Sequence, residues 1–396
     1  MNSTALNLPR TGRDGGLKLD PLLIGIVLSI LLFGLVMVTS ASISIAAHGG
    51  GDPFSYLRSQ LILALAGAVL AAVLCAVPTS LLQQFATPLL LAAALLLLAV
   101  LIPGIGHEVN GSRRWVRLAG FNLQASEVAR IFVLTWIASY AVRREKELRE
   151  TFGGLLRPLG LTAGFCCALL LEPDFGAATV LFVTAFGLLF LAGARLKWVL
   201  VCVIGAGAGF GLLMVSAAYR MRRLTSFLDP WSHAFDSGFQ LTQSLIAIGR
   251  GQWFGVGLGE SVQKLSYLPE AHTDFLFAVL AEELGLAGVL LTLLLFLALV
   301  WRVLTIARRA SEAGMKFQSY MAAAFALWVG MQSMINIGVN MGVLPTKGLT
   351  LPFMSYGRSS LLVTLAWFGV VLRIHHEVAV GTRGSASGTR RVAGEE

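Results

Sequence analysis

Ten long apolar runs decide what this chain can be. Their approximate cores are 22–45, 59–77, 86–102, 126–142, 159–171, 176–193, 198–217, 274–300, 318–340 and 360–376. A bilayer crossing needs about 20 apolar residues as a helix. The runs are continuous rather than alternating, which fits helices and not barrel strands. The expected fold is therefore an all-α polytopic membrane protein of about ten transmembrane helices. Only 13% of residues are charged, against about 25% in soluble domains. The fifth run is short and ends in Glu172-Pro173-Asp174, which breaks it from the sixth.

A net charge of +9 would suggest nucleic acid in a soluble protein. Here no basic soluble domain exists to carry it, and loop charge or an anionic lipid substrate accounts for it. Cys75, Cys166, Cys167 and Cys202 lie inside apolar runs and read as small buried hydrophobes. The first run exceeds the ~7–15 residues of a cleavable signal and reads as a signal anchor. Residues 1–20 and 377–396 are expected to be polar cytoplasmic tails, the second disordered, around a membrane domain at 21–376.

Basic residues near the crossings put both termini inside. The inner side then receives Arg10, Arg13, Lys18, the Arg143–Arg157 cluster, Arg302, Arg308 and Arg309. Three outer loops break the pattern. Loop 103–125 carries Arg113, Arg114 and Arg117. The large loop 218–272, between crossings seven and eight, carries Arg220, Arg222, Arg223, Arg250 and Lys264. Loop 341–359 carries Lys347 and Arg358. Cations kept outside against the rule suggest an anion there, and phosphate suits arginine forks.

Ionisable residues in greasy surroundings are costly and are usually kept for a purpose. Residues 267–285 place Glu270, His272, Asp274, Glu282 and Glu283 around the head of the eighth crossing. Asp274 has two readings: a general base, or a helix cap favoured by the helix dipole. Glu282 and Glu283 lie about 12 Å deeper, as a polar lining or as partners that fix packing. Arg113, Arg114 and Trp115 suit pyrophosphate and sugar, or a headgroup belt. Glu127 and Arg130, near Gln124 and Ser126, read as substrate-binding residues, or as a purely structural helical pair at i,i+3. Lys347, Ser355, Ser359 and Ser360 suit an anion at a helix start, or capping. Glu172 and Asp174 form a second outer polar cluster, or a Pro-Asp turn. Glu270, His272 and Asp274 are a weak candidate for Mg2+ or Mn2+, which pyrophosphate would also bring; no protein metal site is assigned.

Several longer motifs occur in order: Asn110-Gly-Ser-Arg-Arg-Trp115, Gln124-Ala-Ser-Glu127, Glu172-Pro-Asp-Phe-Gly176, Phe227-Leu-Asp-Pro-Trp231, Pro269-Glu-Ala-His-Thr-Asp274, Leu344-Pro-Thr-Lys-Gly-Leu-Thr-Leu-Pro352 and Ser355-Tyr-Gly-Arg-Ser-Ser360. Together they resemble the SEDS family (shape, elongation, division and sporulation) over about residues 20–376, nearest its division branch. The resemblance implies a ten-helix glycosyltransferase that polymerises lipid II, an undecaprenyl-pyrophosphate disaccharide-pentapeptide, into peptidoglycan. It implies work on the outer face of the cytoplasmic membrane at the division septum, beside a class B penicillin-binding transpeptidase and other divisome membrane proteins. It places the essential Asp at Asp274, and implies one inverting displacement with no covalent sugar–enzyme intermediate. Two positions depart from the family pattern: Arg358 where Gly is usual, and Ala125 where Pro is usual. Two other classes are weighed against this one, a lipid II flippase and a non-catalytic scaffold that recruits the transpeptidase. The absence of visible repeat symmetry and the clustering of polar residues towards one face argue against the flippase.

Overall fold

The structure, a computed structural model, describes residues 17–48, 52–109, 112–118, 121–215, 225–265, 267–346 and 348–392. Lys347, Arg220, Arg222 and Arg223 lie outside these residues, as does the tail before residue 17.

Among the described residues, seven helices are long and apolar enough to cross a membrane, and three shorter apolar helices join them. In chain order the long ones are α1 Pro21–His48, α2 Ser55–Ala76, α5 Ala125–Arg143, α7 Phe152–Leu171, α11 Leu276–Glu312, α12 Lys316–Asn340 and α13 Arg358–Val392. The shorter three are α4 Ala86–Leu101, α8 Phe175–Leu191 and α9 Leu196–Gly209. All ten runs expected from the sequence are thus helical. Short helices α3 Thr79–Gln84 and α6 Glu145–Glu150 lie in connections, and α10 Phe239–Gly251 lies in the large loop.

Loop 103–125 adds what apolar runs could not announce, a three-stranded antiparallel sheet. Its strands are β1 Gly106–Val109, β2 Ser112–Leu118 and β3 Phe121–Gln124, in the order β1-β2-β3. Trp115 sits opposite Gln124, and Arg117 opposite Asn122. Against β1 the register slips by one residue, His107 pairing with Trp115 and Glu108 with Arg113, so Arg114 is the extra residue of a bulge. β3 runs directly into α5.

Lipid tails are as apolar as leucine, so helices in a bilayer hold together by close van der Waals fit rather than by burial from water. The α2–α13 crossing depends on such a fit. A methyl at Gly369 would lie 2.3 Å from the Ala71 carbonyl oxygen. Between α12 and α13, Trp328 and Trp367 stack at 5.1 Å, with Phe325 edge-on to both. Such pairs add about 0.5–1.5 kcal/mol each beyond burial.

α11 is broken at Gly285, whose φ of 63° and ψ of −159° belong to a region open almost only to glycine. The large loop fills the break. Val256 and Gly257 N–H groups donate to the carbonyls of Glu282 and Glu283, and Leu286 and Ala287 donate back to Gln252 and Trp253. The backbone groups freed by the break are therefore satisfied by protein, as a low-dielectric site requires.

Helix α13 runs beyond the apolar run, to Val392. The Glu377 carboxylate accepts from the Thr79 backbone N–H at 3.0 Å and from the Thr79 hydroxyl, and Arg373 braces it at 2.8 Å. A carboxylate at the start of α3 satisfies an otherwise free helical N–H. That contact ties α13 to the start of α3.

Candidate functional site

The starts of α5, α8, α11 and α13 and the end of α12 meet at one face of the bundle, under the sheet. Asp274 lies two residues before α11 and is half-buried. Its backbone carbonyl accepts two hydrogen bonds from α12, from Asn336 Nδ2 at 2.8 Å and Asn340 Nδ2 at 3.0 Å. Asn336 Nδ2 also donates to the Leu349 carbonyl, and Asn340 Oδ1 accepts from the Ala278 N–H. The two asparagines therefore tie the Asp274 turn, the first turn of α11 and the Gly348–Leu349 segment together. A methyl at Gly348 would lie 3.0 Å from Asp274 Oδ2, so the carboxyl rests on a bare backbone.

Burial, then the charges of Glu270 and Asp174, push the Asp274 carboxyl up to about 7, with Arg114 pulling the other way. A carboxyl poised there takes and gives protons near neutral pH. His272 is held down by burial. Its ring meets Tyr56 edge-on at 4.9 Å and Tyr356 at 5.7 Å, and its carbonyl accepts from the Tyr356 N–H at 3.0 Å. Glu270 accepts from the Thr273 hydroxyl at 2.6 Å.

Arg114 reaches across from β2. Its Nε donates to the Glu172 carbonyl at 3.0 Å and its Nη2 to the Pro173 carbonyl at 2.7 Å, which fixes the guanidinium beside the α7–α8 turn. Asp174 caps α8 through Oδ1 to the Ala177 N–H at 3.0 Å. Its Oδ2 accepts from Gln124 Nε2 at 3.1 Å and Ser126 Oγ at 3.2 Å. Glu172 is buried, and neither carboxyl oxygen has a hydrogen-bond partner among the described residues. Burial and the Asp174 charge raise it to about 8, so it is mainly neutral at pH 7. Arg113, on the other side of the bulge, pairs with Glu108 at 3.1 Å, and Trp115 is half-buried.

Beneath this surface Arg130 is only 1% exposed. It lies 3.5 Å from Glu127, donates to Gln332 Oε1 at 2.8 Å, and stands 5.2 Å over the Trp328 ring. Gln332 Nε2 donates in turn to the Thr350 carbonyl. The three serines make local contacts. Ser359 accepts from the Gln124 N–H and donates to the Asn122 carbonyl, tying β3 to α13. Ser355 accepts from the Leu351 N–H, and Ser360 accepts from the Thr350 hydroxyl. Arg358 is exposed, with Nε 3.1 Å from the Tyr356 hydroxyl.

Glu282 and Glu283 stand apart from this cluster and hold the large loop. Glu282 accepts from Arg250 at 3.1 Å and Ser261 at 2.5 Å; Glu283 accepts from Lys264 at 2.9 Å and Ser40 at 2.7 Å. Both carboxylates are wholly buried and act as packing partners. Among the described residues, no group of three or more His, Cys, Asp or Glu is placed to hold a metal ion. Sequence reasoning missed Asn336 and Asn340. With Gln332 they form a polar stripe at i, i+4, i+8 on an otherwise apolar helix, a signal that was present to be found.

Residues 20–379 match the family described as "Cell cycle protein", FtsW/RodA/SpoVE. A probable peptidoglycan glycosyltransferase FtsW of Thioalkalivibrio sulfidiphilus is 51% identical over 92% of this chain and 93% of its own length. Another, from Coxiella burnetii, is 51% identical over 88% and 94%. Among solved structures, one from work titled "Structural coordination of polymerization and crosslinking by a peptidoglycan synthase complex" aligns with a TM-score of 0.75 at 30% identity. It covers 92% of this chain and 99% of its own. The rod shape determining protein RodA of Thermus thermophilus aligns at 0.66, with 30% identity over 91% and 97%. Matched almost from end to end in both sequence and fold, the chain belongs to the FtsW/RodA/SpoVE family of polytopic membrane proteins.

Proposed function

We propose that the chain is a peptidoglycan glycosyltransferase that polymerises lipid II at the outer face of the cytoplasmic membrane, with both termini cytoplasmic, at the division septum. The observation that carries this reading is Asp274. It is a carboxyl near pKa 7, fixed through its backbone by Asn336 and Asn340, at the face that gathers Arg114 and Asp174.

The reaction asks for one proton acceptor and one home for departing negative charge. Asp274 takes the proton of an acceptor-sugar hydroxyl. The hydroxyl oxygen bonds to the donor's anomeric carbon as the bond from that carbon to pyrophosphate breaks, and the electron pair leaves with pyrophosphate. A general base of this kind contributes roughly 10²–10⁴-fold. Arg114 is pre-oriented for the leaving charge, and an arginine fixed in advance costs little reorganisation. Arg113, Trp115, Lys347, Ser355, Ser359 and Ser360 complete the proposed substrate-binding set, with His272 beside the base. Glu127 and Arg130 support the floor, and Glu172, Asp174, Glu270, Glu282 and Glu283 the frame. A Mg2+ or Mn2+ ion would arrive on the pyrophosphate oxygens, since no protein cage for it occurs among the described residues. The partner is a class B transpeptidase, alongside other divisome membrane proteins.

Reconstitution with labelled lipid II and mass spectrometry of the product tests this. Polymer from the wild-type chain and none from Asp274→Ala is the expected result. Transfer of lipid II between leaflets without polymer, or recruitment of the transpeptidase without either, would replace the reading with a flippase or a scaffold.

A further inference from the structure

The bundle has a second polar hollow, at the opposite end of α5 from the Asp274 face. It measures about 420 Å³ and is lined by Thr87, Trp136, Tyr140, Arg143, Arg144 and Arg157. A neighbouring hollow of about 370 Å³ shares Arg143 and Arg144 and adds Lys146, Glu147 and Glu150. Four cations thus face two carboxylates. Glu147 is already shared, pairing with Arg144 and, at 2.8 Å, with Arg157. Arg143 donates only to the Ser139 carbonyl, at 3.4 Å, and has no carboxylate partner among the described residues.

The wall is rigid and aromatic. Trp136 and Tyr140 stack at 5.4 Å, and the Tyr140 hydroxyl is held by the Gly154 carbonyl at 2.9 Å. An apolar track leads away from the mouth. Thr87, Leu91 and Leu95 follow at helical spacing on α4, and Leu91 and Leu95 are 60% and 68% exposed. A charged hollow continuous with a bare leucine stripe is the complement of a molecule with an anionic head and a hydrocarbon tail. Basic hollows between helices near the membrane surface suit lipid head groups.

We propose that this hollow binds the phosphate of an anionic phospholipid, with Arg143 as its free fork, Arg144 and Arg157 flanking it, and an acyl chain along Leu91 and Leu95. Native mass spectrometry of the full-length chain, incubated with equal amounts of phosphatidylglycerol and phosphatidylethanolamine, tests it. Phosphatidylglycerol should be retained preferentially. Each arginine near a charged surface is worth about 1 kcal/mol, so Arg143→Gln should weaken retention about fivefold. Arg143→Lys keeps the charge that sets topology but loses the fork, and should fall between the two. Glu147→Gln releases Arg144 and Arg157 and should strengthen retention. Equal retention of the two lipids, or no response to Arg143→Gln and Glu147→Gln, would show that these arginines serve topology alone. Displacement of phosphatidylglycerol by millimolar inorganic phosphate would overturn the lipid assignment in favour of a soluble phosphate ligand.

Discussion

Replacing Asp274 with Asn separates catalysis from stability in one variant. Its carboxyl stands at about 7 instead of the usual 3.8. The fold therefore favours the neutral form. Below pH 3.8 the carboxyl is protonated in both folded and unfolded chains and no cost arises. The cost of ionising it in the fold grows from there to about 7 and is complete above that. Three pH units correspond to about 4 kcal/mol, and partial solvent access trims this to ~2 kcal/mol. Asn has nearly the same shape and no charge to bury, so Asp274→Asn should unfold at higher temperature than wild type at pH 8. The gap should close towards pH 4. Polymerisation should be abolished at every pH, while wild-type rate should fall about tenfold per unit below pH 7. Thermal unfolding in detergent and lipid II polymerisation, each read from pH 5 to 9, give both curves. An Asn variant that polymerised, or that lost stability at pH 8, would refute the argument.

Two other outcomes follow from neighbouring groups. Glu172 is mainly neutral at pH 7 and titrates near 8, so Glu172→Gln should leave polymerisation within about twofold at pH 7. Above pH 8 it should remove a decline caused by a new negative charge beside Asp174, as a pH–rate profile of the two proteins would show. Lys264→Met strands the buried Glu283 carboxylate and should cost about 3–5 kcal/mol; adding Glu283→Gln should recover most of the lost melting temperature, and a failure to recover would show that the pair does not act as a unit.

Much of the frame was legible because hydrocarbon thickness imposes a length on a crossing: all ten runs are helical, and seven of the helices reach that length among the described residues. Asp274, Arg114 and Asp174, singled out in the sequence as ionisable groups that an apolar chain keeps at a cost, lie close enough to act on one another's charge. The sheet of residues 106–124 was not, because its strands interleave Arg113, Arg114 and Arg117 with too few apolar residues to show alternation. The break at Gly285 was hidden because a lone glycine in a helical run is usually tolerated. Glu282 and Glu283 could not be assigned from spacing, because their partners Ser40, Arg250, Ser261 and Lys264 come from other elements. The contact between Glu377 and Thr79, 298 positions apart, was likewise invisible to spacing.

The asparagine tether has a mechanical corollary. Asn336 and Asn340 grip the main chain of Asp274 rather than its carboxyl. At the far end of the same rod, Gln318 holds Thr79 at 3.0 Å. A stiff helix moves as one piece, so a push on that distal socket would retune where the proton acceptor sits, without any change in the residues that touch sugar.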